Sequence, residues 1–461
     1  MAKDNELEDF DQTFNRFRQT GGLPFSQLLT HERVERALVT LGLEFRERVF
    51  TPVATLWTFL SQVLSADHSC RDAVARLLAW RTAQGRPPCS ANTASYCTAR
   101  QRLPVGLVKE LVREAGRELE QKADPTWLWK GRHVKLADGT TMTMPDTPEN
   151  QAVYPRRRNQ ANGVGFPIAR VVAILSLSCA VLLDAAIGPM RGKKSGENSL
   201  FRGLQDGLEP GDVLLVDRLF GSFRDLAAMR ARKVDVVVRQ NASRRTDFRR
   251  GQWLGKLDHI VVWKRPKFSS KRFDRAAWEA LPEQMEIREL RFRVTQPGFR
   301  PSEITLATTL LDPLEYTAEE LGDLFRERWH CELDLRSLKI SLQMHHLRCK
   351  SPEMVETEIW THFLAYNLIR QTMAEAALQS KVLPRHLSFK GAVQTVNAFA
   401  TYLTLSGADR DRLWNEMLTA IATHEVGNRP DRYEPRKLKY RPGKFPYMTQ
   451  PRSTERQRLC A

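Results

Sequence analysis

Three acidic residues stand where a charged side chain has no evident packing role. Asp138 ends the run HVKLAD, Asp217 ends the run GDVLLVD, and Glu332 lies inside a long predicted helix. A carboxylate at the end of a buried strand must be desolvated there or paired with a cation. Three convergent carboxylates can hold two Mg²⁺ ions about 3.5–4 Å apart, as phosphoryl transfer requires. For either aspartate taken alone, a turn or helix-capping role is the better explanation.

The third acid belongs to the segment Thr317–Leu342, which the sequence predicts to be one long helix. Thr317 and Glu320 have the spacing of a capping box, which predicts the start of the helix. Apolar residues recur at intervals of three and four for much of the segment and are predicted to face a core. They are Leu321, Leu324, Trp329, Leu333, Leu335, Leu338 and Leu342.

Cations surround Glu332 on one face of this predicted helix. Arg328, Glu332, Arg336 and Lys339 follow one another at spacings of four, four and three, so their side chains share a face. One acid within a basic stripe suits a metal-binding carboxylate beside a phosphate backbone. An ordinary salt-bridged helix surface explains the same four residues equally well.

The composition favours a polyanionic partner. The chain has 461 residues, with 71 lysines and arginines against 54 acids and a formal net charge of +17. This length allows two or three domains. The seven cysteines are odd in number, scattered and form no CxxC pair, so the sequence indicates neither a disulfide framework nor a zinc site and favours a reducing compartment.

Two features argue against a secreted or membrane protein. The N-terminal stretch MAKDNELEDF lacks the basic region and apolar run of a secretion signal. The longest uncharged apolar run, Val171–Leu183, is too short to cross a bilayer. We therefore expect a soluble intracellular protein. The chain contains no Walker-type phosphate loop, so we expect no nucleotide cofactor.

Strands and helices are predicted to alternate between residues 130 and 240. The predicted strands are His133–Asp138, Arg170–Leu177, Ala180–Ile187, Gly211–Asp217 and Val234–Arg239. The predicted helices are Ser195–Leu208 and Ser222–Lys233. The segment GTTMTMPDTPEN after Asp138 is predicted to be a turn-rich loop.

A basic, β-rich insertion follows and ends at about Asp312. Its predicted strands are His259–Trp263, Met285–Val294 and Glu303–Leu311, with a weaker helical pattern at Asp274–Leu281. The long predicted helix Thr317–Leu342 comes next. Two further helices are predicted beyond it, Pro352–Leu378 and Phe389–Leu403, and the tail from Asn428 is predicted to be an extended basic arm.

The first 125 residues are predicted to be helical, with clear apolar spacing at Leu56–Leu64 and Ala73–Trp80. After a break at Gly85–Ser90, one segment carries small, polar and cationic side chains that suit either DNA contact or a plain polar helix face. These residues are Asn92, Thr93, Ser95, Tyr96, Arg100, Gln101 and Arg102.

The order of these elements, with acids on the first and fourth strands and on a later helix, resembles the ribonuclease-H-like core of retroviral integrases and cut-and-paste transposases. More closely, Phe325-x2-Arg328-x3-Glu332-x6-Lys339 is similar to the Tyr-x2-Arg-x3-Glu-x6-Lys signature of the insertion-sequence-four family of DDE transposases. That family inserts a β-strand domain just before the signature helix. The resemblance covers roughly residues 130 to 380.

The resemblance implies an α/β fold with a ribonuclease-H-like catalytic domain at residues 129–380 that contains the β-rich insertion at 240–312. A helical DNA-binding region at 1–128 precedes it. A helical C-terminal region with a basic tail, residues 381–461, follows it.

The resemblance also implies a function. Two Mg²⁺ ions, for which Mn²⁺ can substitute, would be held by Asp138, Asp217 and Glu332. The expected partners are double-stranded DNA, as terminal inverted repeats and target, and a second copy of the chain in a synaptic homodimer. The expected reaction is end cleavage, usually through a hairpin, followed by strand transfer, in the bacterial cytoplasm at the nucleoid. The implied DNA-binding residues are Phe325, Arg328, Arg336, Lys339, Arg239 and Arg218.

Two departures from the family weaken the expectation of a hairpin. Phe325 replaces the signature tyrosine, so a phosphate contact through the hydroxyl is absent, although the ring can stack; we expect it on or beside the catalytic face. Hairpin-forming relatives place a tryptophan in the last insertion strand, but EITLATTLL has none. Trp253 or Trp263 could serve instead, although a core position in the insertion is the favoured interpretation of both. His345 and His346 are interpreted as surface or helix-end residues.

Two other functions remain open at this point. One is a DNA-binding relative that has lost catalysis, which the presence of all three acids disfavours. The other is a structure-selective, metal-dependent nuclease of the same fold, which the basic flanks and the insertion disfavour.

Overall fold

A computed structural model of the chain describes residues 29, 31–42, 49–83, 85–157, 163–269, 274–294, 302–405, 409–426 and 448–460. The N-terminal 28 residues and most of the predicted basic arm, residues 427–447, lie outside the described residues. Within the described part, no helix is long and apolar enough to cross a membrane.

A nine-stranded mixed sheet forms the centre of the described chain, in the order β3-β2-β1-β4-β5-β9-β8-β7-β6. The strands are β1 (Val134–Thr143), β2 (Ile168–Ser176), β3 (Leu182–Pro189), β4 (Val213–Val216), β5 (Asp235–Arg239), β6 (Gln252–Gly255), β7 (Asp258–Lys264), β8 (Gln284–Val294) and β9 (Ser302–Thr308). β1, β4 and β5 are mutually parallel, and every other neighbouring pair is antiparallel.

Helices cover both faces of this sheet. Before the insertion they are α1 (His31–Thr40), α2 (Pro52–Leu64), α3 (Cys70–Ala83), α4 (Ala94–Arg102), α5 (Val105–Gln121), α6 (Pro148–Val153), α7 (Glu197–Arg202) and α8 (Phe223–Ala231). Within and after it they are α9 (Arg275–Glu279), α10 (Ala318–Glu327), α11 (Trp329–Arg336), α12 (Pro352–Ser380), α13 (Phe389–Leu405), α14 (Arg410–Ala422) and α15 (Arg452–Cys460).

Side chains that alternate along β1 enter two different cores. Val134 and Leu136 belong to the larger core, which also contains residues of α2, α5, α10 and α12. Ala137 belongs to the smaller core, together with Phe201 of α7 and Leu226 of α8. Because successive side chains of a strand point to opposite faces, each face of the sheet has its own helical cover. The near-continuous aliphatic runs of β2 and β4 follow from burial on both faces.

The N-terminal helices share the larger core with the sheet and α12. Asn367 of α12 donates from Nδ2 to the carbonyl oxygens of Val112 in α5 (3.1 Å) and Leu182 in β3 (2.8 Å), and its Oδ1 accepts from the Leu182 N–H (2.9 Å). Lys109 of α5 forms an ion pair with Glu356 of α12 at 2.6 Å. The described helices between residues 31 and 121 are therefore integral to the core rather than a separate unit.

The β-rich insertion extends the main sheet. β9 pairs with β5 through Val237↔Thr308 and Val238↔Ala307, and β8, β7 and β6 follow outward from β9. The three strands predicted here are confirmed, and the short helix α9 is present. β6 was not predicted because its four residues carry no apolar alternation.

The structure corrects three sequence-based boundaries. β1 does not end at Asp138 but continues to Thr143, because its antiparallel partner β2 extends the pairing to Thr143↔Ile168. The first residues of the predicted loop are therefore strand. The helix predicted at Ser195–Leu208 is confined to α7 and a 3₁₀ turn at Gln205–Gly207. The described end of the tail, predicted to be extended, contains α15.

The predicted helix at Thr317–Leu342 is present as three consecutive pieces. Thr317 caps α10 with the predicted capping box, α11 follows after Arg328, and a π-helical turn at Ser337–Ser341 ends the run. Two of the seven predicted core positions are wrong, because Trp329 is 57% exposed and Leu333 is 38% exposed. α11 buries Cys331, Asp334 and Leu335 instead.

Candidate active site

Asp138 and Asp217 lie side by side on neighbouring strands. The last pair of the parallel ladder between β1 and β4 is Ala137↔Val216, and each aspartate is the next residue along its strand. Asp217 leaves β4 and opens the 3₁₀ turn Arg218–Phe220. Asp138 continues in β1, paired only with Ala173 of β2. The sheet therefore opens between the two strands at the level of the two carboxylates.

Arg328 connects the third acid to the first. Its Nη2 donates to Glu332 Oε1 at 3.0 Å, one helical turn away, and its Nη1 lies 3.6 Å from Asp138 Oδ2. The Arg328 side chain is only 18% exposed. Of the residues predicted on one helix face, Arg328 thus meets the strand carboxylate and links Glu332 to it, and the arginine partly neutralises both acids.

Burial is the main influence on the Asp138 carboxyl group and raises its pKa above the ordinary value. The N–H of Gly139, which donates to Asp138 Oδ1 at 2.7 Å, and the Arg328 guanidinium lower this pKa. The negative charges of Glu332 and Glu197 raise it. A partly buried carboxylate among other acids is the environment that a bound cation stabilises most.

The donor atoms suit a hard divalent cation. Asp138, Asp217 and Glu332 offer only carboxylate oxygens, the ligands that Mg²⁺ and Mn²⁺ prefer. In the described part of the chain, no three His, Cys, Asp or Glu side chains are grouped closely enough to hold a metal ion as they stand. Arg328 pairs with two of the acids instead. The residues fit a metal by type and by strand register, and Arg328 must give way for cation binding.

Hydrogen bonds connect the segment that follows the helical run Thr317–Leu342 to Thr143, the last residue of β1. Lys339 lies in the π-helical turn, half-buried, and burial lowers its pKa. The N–H of Thr143 donates to the His345 carbonyl oxygen (3.2 Å), and the N–H of Leu347 donates to the Thr143 carbonyl oxygen (2.9 Å). His346 Nδ1 lies 2.9 Å from Thr143 Oγ1. The two histidines thus follow the helix end, as predicted.

The three other arginines predicted to bind DNA follow the carboxyl ends of β4 and β5 or end α11. Arg239 ends β5 one residue beyond Val238, which pairs with Val216, and so lies level with Asp217. Arg218 is exposed in the turn after Asp217. Arg336 is exposed at the end of α11. Among the described residues, none of these three arginines has an ion-pair partner, so each is free to contact phosphate.

The part of the chain that carries this site matches a known protein family. The transposase DDE domain family matches residues 129–368, more than half of the chain. The chain belongs to the DDE transposase family.

Individual relatives narrow the assignment. The transposase is 29% identical over 447 residues to transposase InsG of insertion sequence element IS4 from Escherichia coli strain K12, a match that covers 95% of each chain. It is 41% identical over 64 residues to putative transposase InsL of element IS186A from the same strain, which covers 14% of this chain and 17% of the relative. The chain is thus a DDE transposase of the insertion-sequence-four family, a family that uses divalent metal in general.

Phe325, the departure from the family signature, is in the core of this transposase. It is 7% exposed and packs in the larger core with Leu321 and Leu324. This corrects the expectation that its ring lies on the catalytic face and contacts DNA. The spacing of three residues puts Phe325 and Arg328 near the same side of the helix, but the Phe325 ring packs with Leu321 and Leu324 while the longer Arg328 side chain reaches Asp138.

The two insertion tryptophans differ in environment. Trp263 is buried, donates from Nε1 to Glu289 Oε1 at 2.7 Å and is covered by the Arg244 guanidinium at 3.7 Å from the ring centre. Trp253 is 71% exposed on the edge strand β6. A core position is therefore right for Trp263 and wrong for Trp253, which leaves Trp253 able to stack on a base.

The polar segment at residues 92–102 presents only part of its predicted face to solvent. Tyr96 is buried and donates its hydroxyl hydrogen to Gln62 Oε1 at 2.8 Å. Arg100 Nη1 donates to the same oxygen at 3.3 Å. Asn92, Ser95, Gln101 and Arg102 remain exposed. Tyr96 and Arg100 attach α4 to α2, so the exposed residues of the predicted face are the ones available for DNA contact.

Sequence reasoning missed Glu197, the first residue of α7. Its carboxylate lies beside Gly139 and contributes to the electrostatics of Asp138. The one signal in the sequence was the glycine that directly follows Asp138, a position without a side chain within an otherwise regular strand.

Proposed function

We propose that this insertion-sequence transposase cuts the ends of its element and joins them to target DNA by two-metal phosphoryl transfer at Asp138, Asp217 and Glu332. The observation that carries the proposal is the placement of Asp138 and Asp217 level with each other on neighbouring parallel strands, with Glu332 linked to Asp138 through Arg328. When bound, Mg²⁺ activates the attacking oxygen and stabilises the leaving oxygen of the phosphodiester.

A ribonuclease-H-like core is part of the proposal. The order β3-β2-β1-β4-β5, with β2 antiparallel and β4 and β5 parallel to β1, supports it. The family's three acids then occupy β1, the end of β4 and a helix after the insertion, which are the elements found here.

The remaining residues of the site would handle DNA. Arg328, Arg336 and Lys339 follow one helical run beside the acids, and Arg218 and Arg239 border Asp217. Cations in these positions would hold the phosphates of the DNA end and bring the scissile bond to the carboxylates. Half-burial of Lys339 favours ion pairing with phosphate over solvation by water.

The proposed partners are double-stranded DNA, as terminal repeats and as target, and a second copy of the chain in the synaptic complex. The net charge of +17 supports the DNA partner. A hairpin intermediate, which needs an aromatic side chain to hold a displaced base, would depend on the exposed Trp253.

The test is end cleavage by the purified protein on DNA that carries the ends of its element, with Mg²⁺ and with EDTA. Metal-dependent nicking at the element boundary, followed by joining to a target plasmid, is the expected result. Cleavage without joining would favour a nuclease. Specific binding without cleavage, for the wild-type chain as for an Asp138→Ala variant, would favour an inactive relative.

A further inference from the structure

Glu197 lies against the backbone next to Asp138. If Gly139 carried a Cβ atom, that atom would stand 2.8 Å from Glu197 Cδ and 3.1 Å from Glu197 Oε1. Real Cβ atoms do not approach other heavy atoms as closely as 2.8 Å. The carboxyl end of Glu197 therefore occupies the place that a side chain at position 139 would take, and a methyl group there would displace this flexible side chain.

This carboxylate reaches the site from the face opposite to the signature helix. Gly139 lies two residues after Ala137 in β1 and so faces the same side of the sheet. The Ala137 side chain enters the smaller core beneath α7. Asp138 points to the other face, where Arg328 and Glu332 lie. β1 loses its β4 partner after Ala137, so the sheet is open here and charges from its two faces can act on one another.

An arginine lies beside Glu197. Arg170 of β2 places Nε 3.6 Å from Glu197 Oε1, and its Nη1 donates to the Ser195 carbonyl oxygen at 2.6 Å. The guanidinium thus holds the loop that leads to α7 by a hydrogen bond and attracts the carboxylate electrostatically. The Glu197 side chain is still 29% exposed, so water or a small cation can reach it.

We propose that Glu197 is a fourth carboxylate of the active site, a positioning residue that seats the Asp138–Gly139 backbone and adds negative charge that strengthens divalent-cation binding by Asp138. This inference rests on the proposed function. The sheet thus receives one carboxylate from each face, Glu332 from α11 and Glu197 from α7, on either side of the strand acids.

The competing explanation is that Glu197 is only a structural partner of Arg170. The substitution Glu197→Gln keeps the shape over Gly139 but carries no charge, so a purely structural role predicts that Mn²⁺ binding stays at the wild-type value. Glu149→Gln is the matched control, since Glu149 is an exposed acid in the first turn of α6, another six-residue helix.

The first experiment measures Mn²⁺ binding to the DNA-free protein by titration calorimetry and Mg²⁺ dependence by end cleavage. Glu197→Gln is expected to weaken Mn²⁺ binding roughly tenfold, or about 1.4 kcal/mol, because a nearby negative charge is lost from a partly solvated site, and to raise the half-saturating Mg²⁺ concentration similarly. Thermal stability and cation-free DNA binding are expected to stay unchanged. Wild-type cation binding in Glu197→Gln would overturn the inference.

The second experiment tests the contact with Gly139. Gly139→Ala alone is expected to displace the flexible Glu197 side chain with little change in the melting temperature, and to weaken Mn²⁺ binding about as much as Glu197→Gln does. The double variant Gly139→Ala with Glu197→Ala is expected to bind Mn²⁺ no more weakly than Gly139→Ala alone, because both changes remove the same charge from the site. Additive losses of Mn²⁺ affinity would show that the methyl group does not act through Glu197, and would contradict the contact.

The outcomes also separate this inference from the proposed function. If Asp138→Ala still cleaves DNA with Mg²⁺, the proposed active site is wrong and Glu197 has no site to support. If Asp138→Ala is inactive while Glu197→Gln matches Glu149→Gln in Mn²⁺ binding, only the role of Glu197 is refuted.

Discussion

Replacing Arg328 with glutamine should make the DNA-free transposase bind divalent cations more tightly while it binds DNA ends less well. Arg328 pairs with Glu332 Oε1 at 3.0 Å and lies 3.6 Å from Asp138 Oδ2, so it competes with any cation for both carboxylates. The same guanidinium is a candidate phosphate contact. Its loss therefore removes a competitor from the metal site and a cation from the DNA surface.

The contacts set the size of the effect. The pair with Glu332, whose side chain is 39% exposed, is screened by solvent and contributes about 0.5 kcal/mol, and the more buried contact with Asp138 contributes about 1 kcal/mol. Together these contributions correspond to roughly tenfold tighter cation binding in Arg328→Gln. For DNA, the loss of one phosphate contact should reduce the slope of log affinity against log salt by about one unit.

Titration calorimetry with Mn²⁺ and mobility shifts at several salt concentrations measure the two effects. Arg326→Gln is the control, because Arg326 is an exposed neighbour on α10 that pairs with Asp323 and not with the acids of the site. Equal Mn²⁺ affinity in Arg328→Gln and Arg326→Gln would refute the competition. An unchanged salt slope would return Arg328 to a purely structural role.

Three further outcomes are expected. Phe325→Tyr should lower the free energy of unfolding by about 1–3 kcal/mol in urea titrations, because its hydroxyl enters the larger core, and a variant as stable as wild type would contradict the buried position. Burial lowers the pKa of His68 to about 4 and of His362 to about 3, so between pH 6.5 and 4 the unfolded chain binds protons that the folded chain does not. Stability should fall as the pH decreases through that window, by up to about 1.4 kcal/mol per unit for each histidine, and His362→Gln should flatten the slope. Trp253→Ala should leave the melting temperature unchanged but weaken DNA-end binding by about 1–3 kcal/mol if the ring stacks on a base, and equal affinity would exclude that role.

The parts of the fold that were predictable from sequence are those specified by local pattern. The cores of β2, β4 and β5 are short aliphatic runs, and each forms a strand where predicted. Thr317 and Glu320 form the predicted capping box because both partners lie within one turn. The acids at Asp138 and Asp217 were recognisable for the same reason, since each follows such a run.

Features that depend on distant partners were not predictable. The continuation of β1 to Thr143 depends on its pairing with β2, which the polar residues after Asp138 do not encode. The exposure of Trp329 depends on which side of α11 packs, and apolar spacing alone assigned the wrong side. Glu197 meets Gly139 only because α7 packs on the neighbouring strands β2 and β3, and no spacing in the sequence relates the two residues.

The most direct test of the central claim compares Asp217→Ala with wild-type protein in binding and cleavage of the same element end in Mg²⁺. Asp206→Ala serves as the control, because Asp206 is an exposed acid that pairs with Arg232 away from the three acids. We expect Asp217→Ala to bind the end with wild-type affinity and to leave it uncut, while Asp206→Ala binds and cuts normally. An Asp217→Ala protein that still cuts with Mg²⁺ would contradict the assignment of the active site.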